Sequence, residues 1–309
     1  MRAVLLVIAL AWSVTAVAEV RVRTDADAGG MVFTPDGAGL LVASGDVELF
    51  ATNTWTATKN FDESRKSIAV SPDGKVAYLG SDYTKDIVVL DVASWEKRRV
   101  IVTRPVESGD VVVSGDGKRV AIGGRYRCVV VDAETDKELR TVSFDDGGVN
   151  DVSLDRTGGL VACCAYREGG GMVVDVATDK VRVKLPGRGI RVAFSPDDRW
   201  LAYANADDHT VTIYDTKQFR VKARIHYKES VQAIAFDAAS RRIAIGGVRA
   251  DDDSKKPAPK IVISDLTGKV LTRLAPAAGG ARVLAFTPDG KQLAAAGFDR
   301  SLVVHNVPN

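Results

Sequence analysis

One seven-residue phrase recurs seven times along this chain, in more or less intact copies: a mostly apolar triplet, then Ser or Thr, Pro, Asp and Gly. Its clearest copies are residues 31–37, 68–74 and 284–290. Aligned on the last residue of the phrase, successive copies lie 37, 43, 41, 40, 42 and 50 residues apart. The aligned positions are Gly37, Gly74, Gly117, Gly158, Asp198, Ser240 and Gly290. A period near 40 residues is typical of small sheets repeated around an axis.

Each repeat carries strand and turn signals in the same order. In residues 67–102, an apolar strand leads into Pro72-Asp73-Gly74, a turn in which Pro presets φ and Gly can take a positive φ. A second strand, a continuous apolar third strand at 86–90 and a more polar fourth strand follow. The sequence therefore predicts an all-β chain: a seven-bladed β-propeller of four-stranded antiparallel blades, forming a single domain over residues 19–309.

The two ends of the repeat array complement each other. The last unit ends at its third strand, Val304-His305-Asn306, whereas residues 19–24 alternate apolar and polar side chains with no repeat around them. We predict that residues 20–24 supply the outer strand of the seventh blade. This N-terminal strand would close the ring and leave neither chain end unpaired.

Residues 1–18 are predicted to be a signal peptide. Arg2 provides a short positive start, residues 3–14 form an apolar stretch, and Ala16-Val17-Ala18 suits cleavage before Glu19. The apolar stretch is shorter than the roughly 20 residues that a membrane span needs. We therefore expect a protein that is periplasmic or secreted after cleavage near Ala18-Glu19, with no membrane span.

The charge balance argues against nucleic acid as a partner. The formal net charge of the whole chain is +2, and Arg2 is the one charged residue of the predicted signal peptide. A dedicated nucleic-acid-binding protein usually carries a strong basic excess. The chain is instead expected to be a monomer that binds a protein or peptide whose identity is unknown.

Three cysteines are an odd set for an exported protein. Cys128 lies in a predicted third strand, and Cys163 and Cys164 lie in a predicted second strand, where successive residues face opposite ways. We interpret all three as small, buried and inert side chains. A redox role and a strained bond between the adjacent cysteines remain the alternatives. Their spacing is not that of a metal site.

Two segments carry a family resemblance: residues 195–203 (SPDDRWLAY) and residues 287–306, which end in Val304-His305-Asn306. They resemble the WD-repeat β-propellers and their bacterial relatives of the YVTN and TolB-like kinds, and the resemblance extends over residues 20–309. The chain departs from the family pattern because no Trp precedes the closing Asp of a repeat and no Gly-His pair precedes a first strand. We therefore expect a divergent bacterial propeller without the buried His–Asp network of the family, held together mainly by apolar packing.

The resemblance implies a binding face formed by the loops that join fourth to first strands and second to third strands. Residues just before the first strands are predicted to ring the mouth of the central channel on that face. They are Lys66, Asp110, Asn150, Asp151, Arg191, Gln232 and Arg282. A ring of mixed charge could bind an anion or a peptide terminus. The alternative is a solvated channel mouth that needs no ligand.

A polar insertion in the sixth repeat is predicted to lie on the same face. Its charged residues are Arg249, Asp251, Asp252, Asp253, Lys255 and Lys256. A long loop on a rigid scaffold suits partner binding, although a passive insertion is equally compatible with the sequence. The three acids lack the interrupted Asp pattern and the Gly of a calcium loop. His209 and His226, with Asp207 and Asp208, are a weaker metal candidate in nearby loops.

These features favour an exported, non-enzymatic scaffold that binds a protein or a ligand through its loops, with no catalytic residue, cofactor or metal assigned. The chain contains no Gly-x-Ser-x-Gly nucleophile motif. The alternative is a metal-dependent, lactonase-like hydrolase whose site at the channel mouth would include Asp110, Asn150 and Asp151. A quinone-dependent oxidoreductase would need Trp-rich blades, and only Trp55, Trp95 and Trp200 follow residue 18.

Overall fold

The computed structural model describes residues 19–24, 26–81, 86–102, 108–145, 148–165, 170–249, 260–276 and 279–308. The regular elements within these ranges are 27 β-strands, numbered in chain order. No helix of the described residues is long and apolar enough to cross a membrane.

The strands form seven antiparallel sheets, the blades. The first blade contains β2 (Gly30–Phe33), β3 (Gly39–Ala51) and β4 (Thr56–Arg65). The second blade contains β5 (Ser67–Val70), β6 (Val76–Gly80), β7 (Asp86–Asp91) and β8 (Lys97–Val102). The third blade contains β9 (Ser108–Val113), β10 (Arg119–Gly124), β11 (Arg127–Asp132) and β12 (Glu138–Ser143). Blades four and five contain β13 (Val149–Leu154), β14 (Leu160–Ala165), β15 (Gly171–Asp175), β16 (Val181–Leu185); and β17 (Gly189–Phe194), β18 (Trp200–Asn205), β19 (Thr210–Asp215), β20 (Val221–His226). Blades six and seven contain β21 (Ser230–Phe236), β22 (Arg242–Val248), β23 (Ile261–Asp265), β24 (Val270–Leu274); and β25 (Val283–Phe286), β26 (Gln292–Ala296), β27 (Ser301–Asn306), β1 (Glu19–Arg23).

The first blade has the same four-strand plan, although its second and third strands are continuous in β3. The strand folds back on itself at Gly45, where φ is 93° and a side chain would be strained. The N–H of Thr52 donates to the carbonyl of Ala38 at 3.0 Å. The N–H of Val92 makes the same bond to Lys75 at the base of the equivalent hairpin in the second blade, also at 3.0 Å.

The blades form a closed ring. The first strand of each blade contacts the first strand of the next, in the cycle β2, β5, β9, β13, β17, β21, β25 and back to β2. The N-terminal strand β1 pairs antiparallel with β27, so that Val20 lies opposite Val304 and Val22 lies opposite Leu302. The predicted fold class and the predicted closure are both confirmed.

Apolar side chains fill all seven interfaces between neighbouring blades. Each interface contains one hydrophobic cluster, and the third strands are buried along their length, as at Ile87, Val88, Val89 and Leu90. The cluster between the seventh and first blades includes Val20 and Val22 of the closing strand. Apolar side chains are therefore packed face to face at every interface between blades.

In five of the seven blades the turn between first and second strands follows one hydrogen-bond scheme, whereas Asp155 and Asp237 replace the hydroxyl in the fourth and sixth blades. In the second blade, the Ser71 hydroxyl donates to Asp73 Oδ1 at 2.6 Å and accepts from the N–H of Val76 at 3.0 Å. The same carboxylate oxygen accepts from the N–H of Lys75 at 3.1 Å. The hydrogen bond from Ser71 is the largest factor that lowers the pKa of Asp73. The repeated Asp residues of these turns are therefore structural acceptors.

Antiparallel pairing sorts the connections between strands into two groups. Turns from first to second and from third to fourth strands lie at one end of the blades, which we call the turn face. Connections from second to third strands, and from each fourth strand to the next blade, lie at the other end, which we call the loop face. Because first strands begin at the loop face, the residues at their starts surround the channel there.

Candidate binding site at the channel mouth

The seven predicted channel residues lie at two neighbouring levels of the first strands. Asp110, Asp151 and Arg191 immediately precede the apolar triplet on three consecutive blades, the third to the fifth. The equivalent positions in the other four blades are Gly30, Ser67, Ala233 and Val283. Lys66, Asn150, Gln232 and Arg282 lie one residue closer to the loop face.

A cavity of about 280 Å³ lies at this level and is bounded by the first-strand segments of all seven blades. Four charged side chains line it, namely Asp110, Asp151, Arg191 and Arg282. Lys66, Asn150 and Gln232 do not line this cavity. The structure therefore brings four of the seven predicted residues together around one space.

Side chains at this ring join the second blade to the third and the fourth blade to the fifth. Ser67 Oγ accepts from the N–H of Val111 at 2.8 Å, and Asp151 Oδ2 accepts from the N–H of Val192 at 2.8 Å. Ser153 lies on the same strand face as Asp151, and its hydroxyl accepts from the N–H of Phe194 at 3.0 Å. First strands are the inner edges of their sheets, so these bonds satisfy N–H groups that have no strand partner on that side.

Arg191 connects three blades through backbone carbonyls. Its Nε donates to the carbonyl of Gln232 at 2.8 Å, and its Nη1 lies 3.4 Å from the carbonyl of Asn150 and 3.3 Å from that of Ile190. The amide nitrogen of Asn150 donates to the carbonyl of Gly189 at 2.7 Å. Asn150 and Arg191 therefore stabilise the ring, and Arg191 also presents charge to the cavity.

The two acids and Arg191 are electrostatically coupled. Burial raises the pKa of Asp151 to about 7; Arg191 opposes this rise and Asp110 adds to it. Burial disfavours the charged form of Arg191, but the carboxylates of Asp151 and Asp110 outweigh it and raise the pKa of the guanidinium. One guanidinium therefore faces two carboxylates, and the charge of Asp151 is only partly compensated.

Arg282 belongs to the seventh blade, which lies across the cavity from the third and fourth blades that carry Asp110 and Asp151. Within the described ranges it forms no ion pair, and its guanidinium carbon lies 5.0 Å from the ring centre of Phe298. The Phe298 side chain is 41% exposed, which is unusual for a large apolar residue. The half-buried Arg282 and the exposed Phe298 thus form a cation–aromatic pair beside the channel mouth.

The weaker metal candidates are engaged in other contacts. His209 Nδ1 lies 2.9 Å from the carbonyl of Glu229, and His226 Nδ1 lies 3.3 Å from the hydroxyl of Thr210. Within the ranges that the structure describes, no three His, Cys, Asp or Glu side chains converge as metal ligands. In the sixth-blade insertion, Arg249 follows β22 and is half-buried, whereas Asp251, Asp252, Asp253, Lys255 and Lys256 lie outside the described residues.

His305 replaces the Trp that is usual before the closing residue of the family repeat. It is buried in β27, opposite Glu19 of the closing strand and Leu293 of β26. Burial lowers its pKa, and the charge of Glu19 together with an interaction with the backbone of Ala275 in the sixth blade partly offsets this. The side chain is therefore a buried part of the seventh blade that also interacts with the sixth.

Sequence reasoning missed the role of Ser67 and Ser153 in joining blades. Each is a small polar residue that directly precedes or interrupts the apolar part of a first strand, and this is the one signal that could have identified it. Its partner lies more than 40 positions along the chain, so the bond becomes visible only when neighbouring blades are placed side by side.

Comparison with known families agrees with this architecture. The model of the WD domain, G-beta repeat family matches residues 181–215 and 269–306. Each match begins with the outer strand of one blade, β16 or β24, and ends with the third strand of the next blade, β19 or β27. No curated protein sequence matches the chain. The WD-repeat resemblance is thus supported in two repeats, and the kinship with YVTN and TolB-like propellers stays a prediction.

Proposed function

We propose that this chain is a non-enzymatic binding scaffold that receives a protein or ligand partner on its loop face, across the channel mouth. Two repeats match the WD-repeat model, which favours a protein-interaction scaffold. The observation that carries the proposal is the convergence of Asp110, Asp151, Arg191 and Arg282 on one cavity of about 280 Å³. These four charged side chains belong to a closed ring of blades whose seven interfaces are packed with apolar side chains.

Charge separation around the mouth suggests what the partner presents. The acids stand on the third and fourth blades, and the arginines stand on the fifth and seventh. A partner with a cationic and an anionic group close together, such as a peptide terminus beside a charged side chain, complements that arrangement. Arg282 and the exposed Phe298 would supply the aromatic and arginine contacts that dominate many interfaces.

A closed ring favours such binding because it holds the site in place before the partner arrives. The inner strands are tied to each other by Ser67, Asp151 and Arg191, so little ordering is needed on association. Less ordering means a smaller entropic cost of binding.

The proposal also includes the insertion at 249–260 as a second element that contacts the partner. The chain would act as a monomer, in the periplasm or outside the cell after export.

A charge reversal on each face tests the proposal. The tagged wild-type chain, R282E and K291E would be cross-linked to the exported proteins of the producing cell and compared quantitatively. Lys291 is an exposed residue of a first-to-second-strand turn, so K291E alters the turn face and serves as the matched control. We expect the amount of cross-linked partner recovered with R282E to be at least tenfold lower than the amount recovered with the wild type or with K291E.

Two results would contradict the scaffold proposal. One is a wild-type chain that retains no specific partner. The other is a set of partners that R282E retains as well as the wild type does, which would remove the channel mouth from the interface.

A second candidate function rests on Asp151. A carboxyl group with a pKa of about 7 beside a cavity has the protonation behaviour of a general acid or base. A metal-dependent hydrolase of lactonase type would use Asp151 and Asp110 there. Stoichiometric metal in the undialysed protein, a lower melting temperature with chelator, and ester or lactone hydrolysis lost in D151N would together favour the enzyme over the scaffold.

A further inference from the structure

We propose that Cys128 and Cys163 are the site of a disulfide that joins the third and fourth blades when the chain folds in the presence of a disulfide oxidant. Both residues are fully buried and are free thiols in this structure. Cys128 lies on β11 of the third blade, and Cys163 lies on β14 of the fourth. The bond would therefore be a covalent link between two sheets that otherwise meet through apolar packing.

Strand register places the two thiols face to face. Cys128 lies directly opposite Gly123 in its own sheet, and Cys163 lies directly opposite Val152 in the neighbouring sheet. Directly opposite residues of an antiparallel pair point to the same side of the sheet. A Cβ at Gly123 would lie only 3.2 Å from Cγ1 of Val152, so these two pairs face each other across the interface.

The missing side chain at Gly123 matters for this contact. Glycine lets the third blade approach Val152 closely, and that approach brings the neighbouring Cys128 against Cys163. Both cysteines belong to the single hydrophobic cluster of this interface, and the proximity of Cys128 contributes to the raised pKa of the Cys163 thiol. The bond itself requires the two sulfurs to approach to about 2.05 Å.

Cys164 points the other way and is the natural comparison. It packs with Val192, Tyr203 and other residues in the cluster between the fourth and fifth blades. A Cβ at Gly189 of the fifth blade would lie 2.6 Å from its Cβ. The proposal thus pairs two of the three cysteines and leaves Cys164 as a buried thiol.

The chemistry balances with a small-molecule or protein disulfide as oxidant, for example glutathione disulfide. The thiolate of one cysteine attacks the oxidant, forms a mixed disulfide and releases one thiol. The second cysteine attacks that mixed disulfide, forms the Cys128–Cys163 bond and releases the second thiol. The two cysteines lose two protons and two electrons in total, and one disulfide of the oxidant becomes two thiols.

Burial determines when the bond can form. It raises the pKa of the Cys163 thiol well above its usual value, and contact with Cys128 adds to that rise. The thiolate is the attacking species, and the folded interface excludes the oxidant, so the finished propeller reacts slowly. The bond should form while the third and fourth blades come together.

Peptide mapping tests the proposal with the full chain. One preparation folds in an oxidising secretory compartment, and a second folds in a reducing cytoplasm and is then treated with glutathione disulfide. Each is denatured without reductant, alkylated and digested. We expect the first preparation to yield linked peptides containing Cys128 and Cys163 with Cys164 alkylated, and the second to yield three alkylated cysteines.

Variants separate the link from a general effect of cysteine loss. C164S should keep the linked peptide, whereas C163S and C128S should each leave the remaining partner alkylated. The oxidised wild type and C164S should melt about 5 °C above their reduced forms, and C163S should show no such difference. Three alkylated cysteines in the wild type from the oxidising compartment, or a link that involves Cys164, would overturn the proposal.

Discussion

At the residue scale, the polar side chains around the channel do two things. Asp151 and Arg191 bind backbone groups of the next blade, and they also present charge to the central cavity. Asp110 lies at the equivalent position of the neighbouring blade and keeps Asp151 from being fully compensated by Arg191. The same side chains therefore stabilise contacts between neighbouring blades and determine the charge at the channel mouth.

The pKa of Asp151 predicts a dependence of stability on pH. Its folded value of about 7 lies above the ordinary value of 3.8, so the folded chain holds the proton more tightly than the unfolded chain. The charged carboxylate therefore lowers the free energy of unfolding progressively from about pH 4 to about pH 7. In D151N, whose amide oxygen can still accept from Val192, this loss should vanish. Urea unfolding at both ends of the range should show a relative gain for D151N of about 1–3 kcal/mol at the higher pH.

D73N is the control for this measurement. The pKa of Asp73 is lowered by hydrogen bonds within its turn, so its contribution to stability is lost as the pH falls and has the opposite sign. If D151N and the wild type show the same pH dependence, the carboxyl of Asp151 titrates as it would in water, and the electrostatic account of the site is wrong.

At the element scale, one turn design is repeated with small changes. In the fifth blade, Ser195 donates to Asp197 Oδ1 at 2.7 Å and accepts from the N–H of Trp200 at 3.0 Å. Thr34 and Thr287 accept the equivalent N–H bonds in the first and seventh blades, at 2.8 and 3.0 Å. The hydroxyl, whether of Ser or Thr, fixes the register between first and second strands.

Removal of that hydroxyl should cost stability in a way that Thr can rescue. S195A leaves the N–H of Trp200 without its acceptor and removes one of the two hydrogen bonds to Asp197 Oδ1, so we expect a loss of about 1–2 kcal/mol in the free energy of unfolding. S195T should lie within about 0.5 kcal/mol of the wild type, because two other blades use Thr at this position. Equal losses in both variants, measured by denaturant unfolding, would mean that packing around Ser195 matters more than its hydrogen bonds.

At the scale of the whole molecule, ring closure depends on five residues at the start of the described chain. In β1, Val20 and Val22 pack on the cluster between the seventh and first blades, while Arg21 points outward and is exposed. The strand pairs with β27, whose other side pairs with β26. The seventh blade is thus made from both ends of the repeat array.

Disruption of β1 should weaken the whole ring. V22D places a charge on the apolar face opposite Leu302, so we expect a loss of about 1–3 kcal/mol and faster proteolysis of the seventh blade. R21A removes only an exposed ion pair with Glu19 and should be nearly neutral. Thermal unfolding and limited proteolysis of the two variants provide the measurement. A V22D chain as stable as R21A would show that β1 does not contribute to closure.

Most of the architecture could be predicted from the chain itself. The repeated triplet and turn specify a strand, a tight bend and a second strand by short-range chemistry, which neighbouring residues are enough to express. The number of repeats and the unmatched strand at each end then allow one closed arrangement. For the same reason, the positions of Cys128, Cys163 and Cys164 in their strands were predictable.

The channel mouth was predictable only in part. Register places Asp110, Asp151 and Arg191 at one level, but the sequence did not separate them from Lys66, Asn150 and Gln232, which do not line the cavity. Nor did it indicate that Asp151 and Ser67 bind the backbone of the next blade.

Periodicity along the chain thus determined the structure of a blade and the number of blades, because both follow from contacts between residues close in sequence. It also determined which strand closes the ring, because the two ends of the repeat array were each left without a partner. Only the tertiary structure decided which side chains of different blades touch. Those contacts include Asp151 with the fifth blade and Cys128 with Cys163. They depend on how sheets separated by about 40 residues pack face to face, and no local pattern encodes that distance or angle.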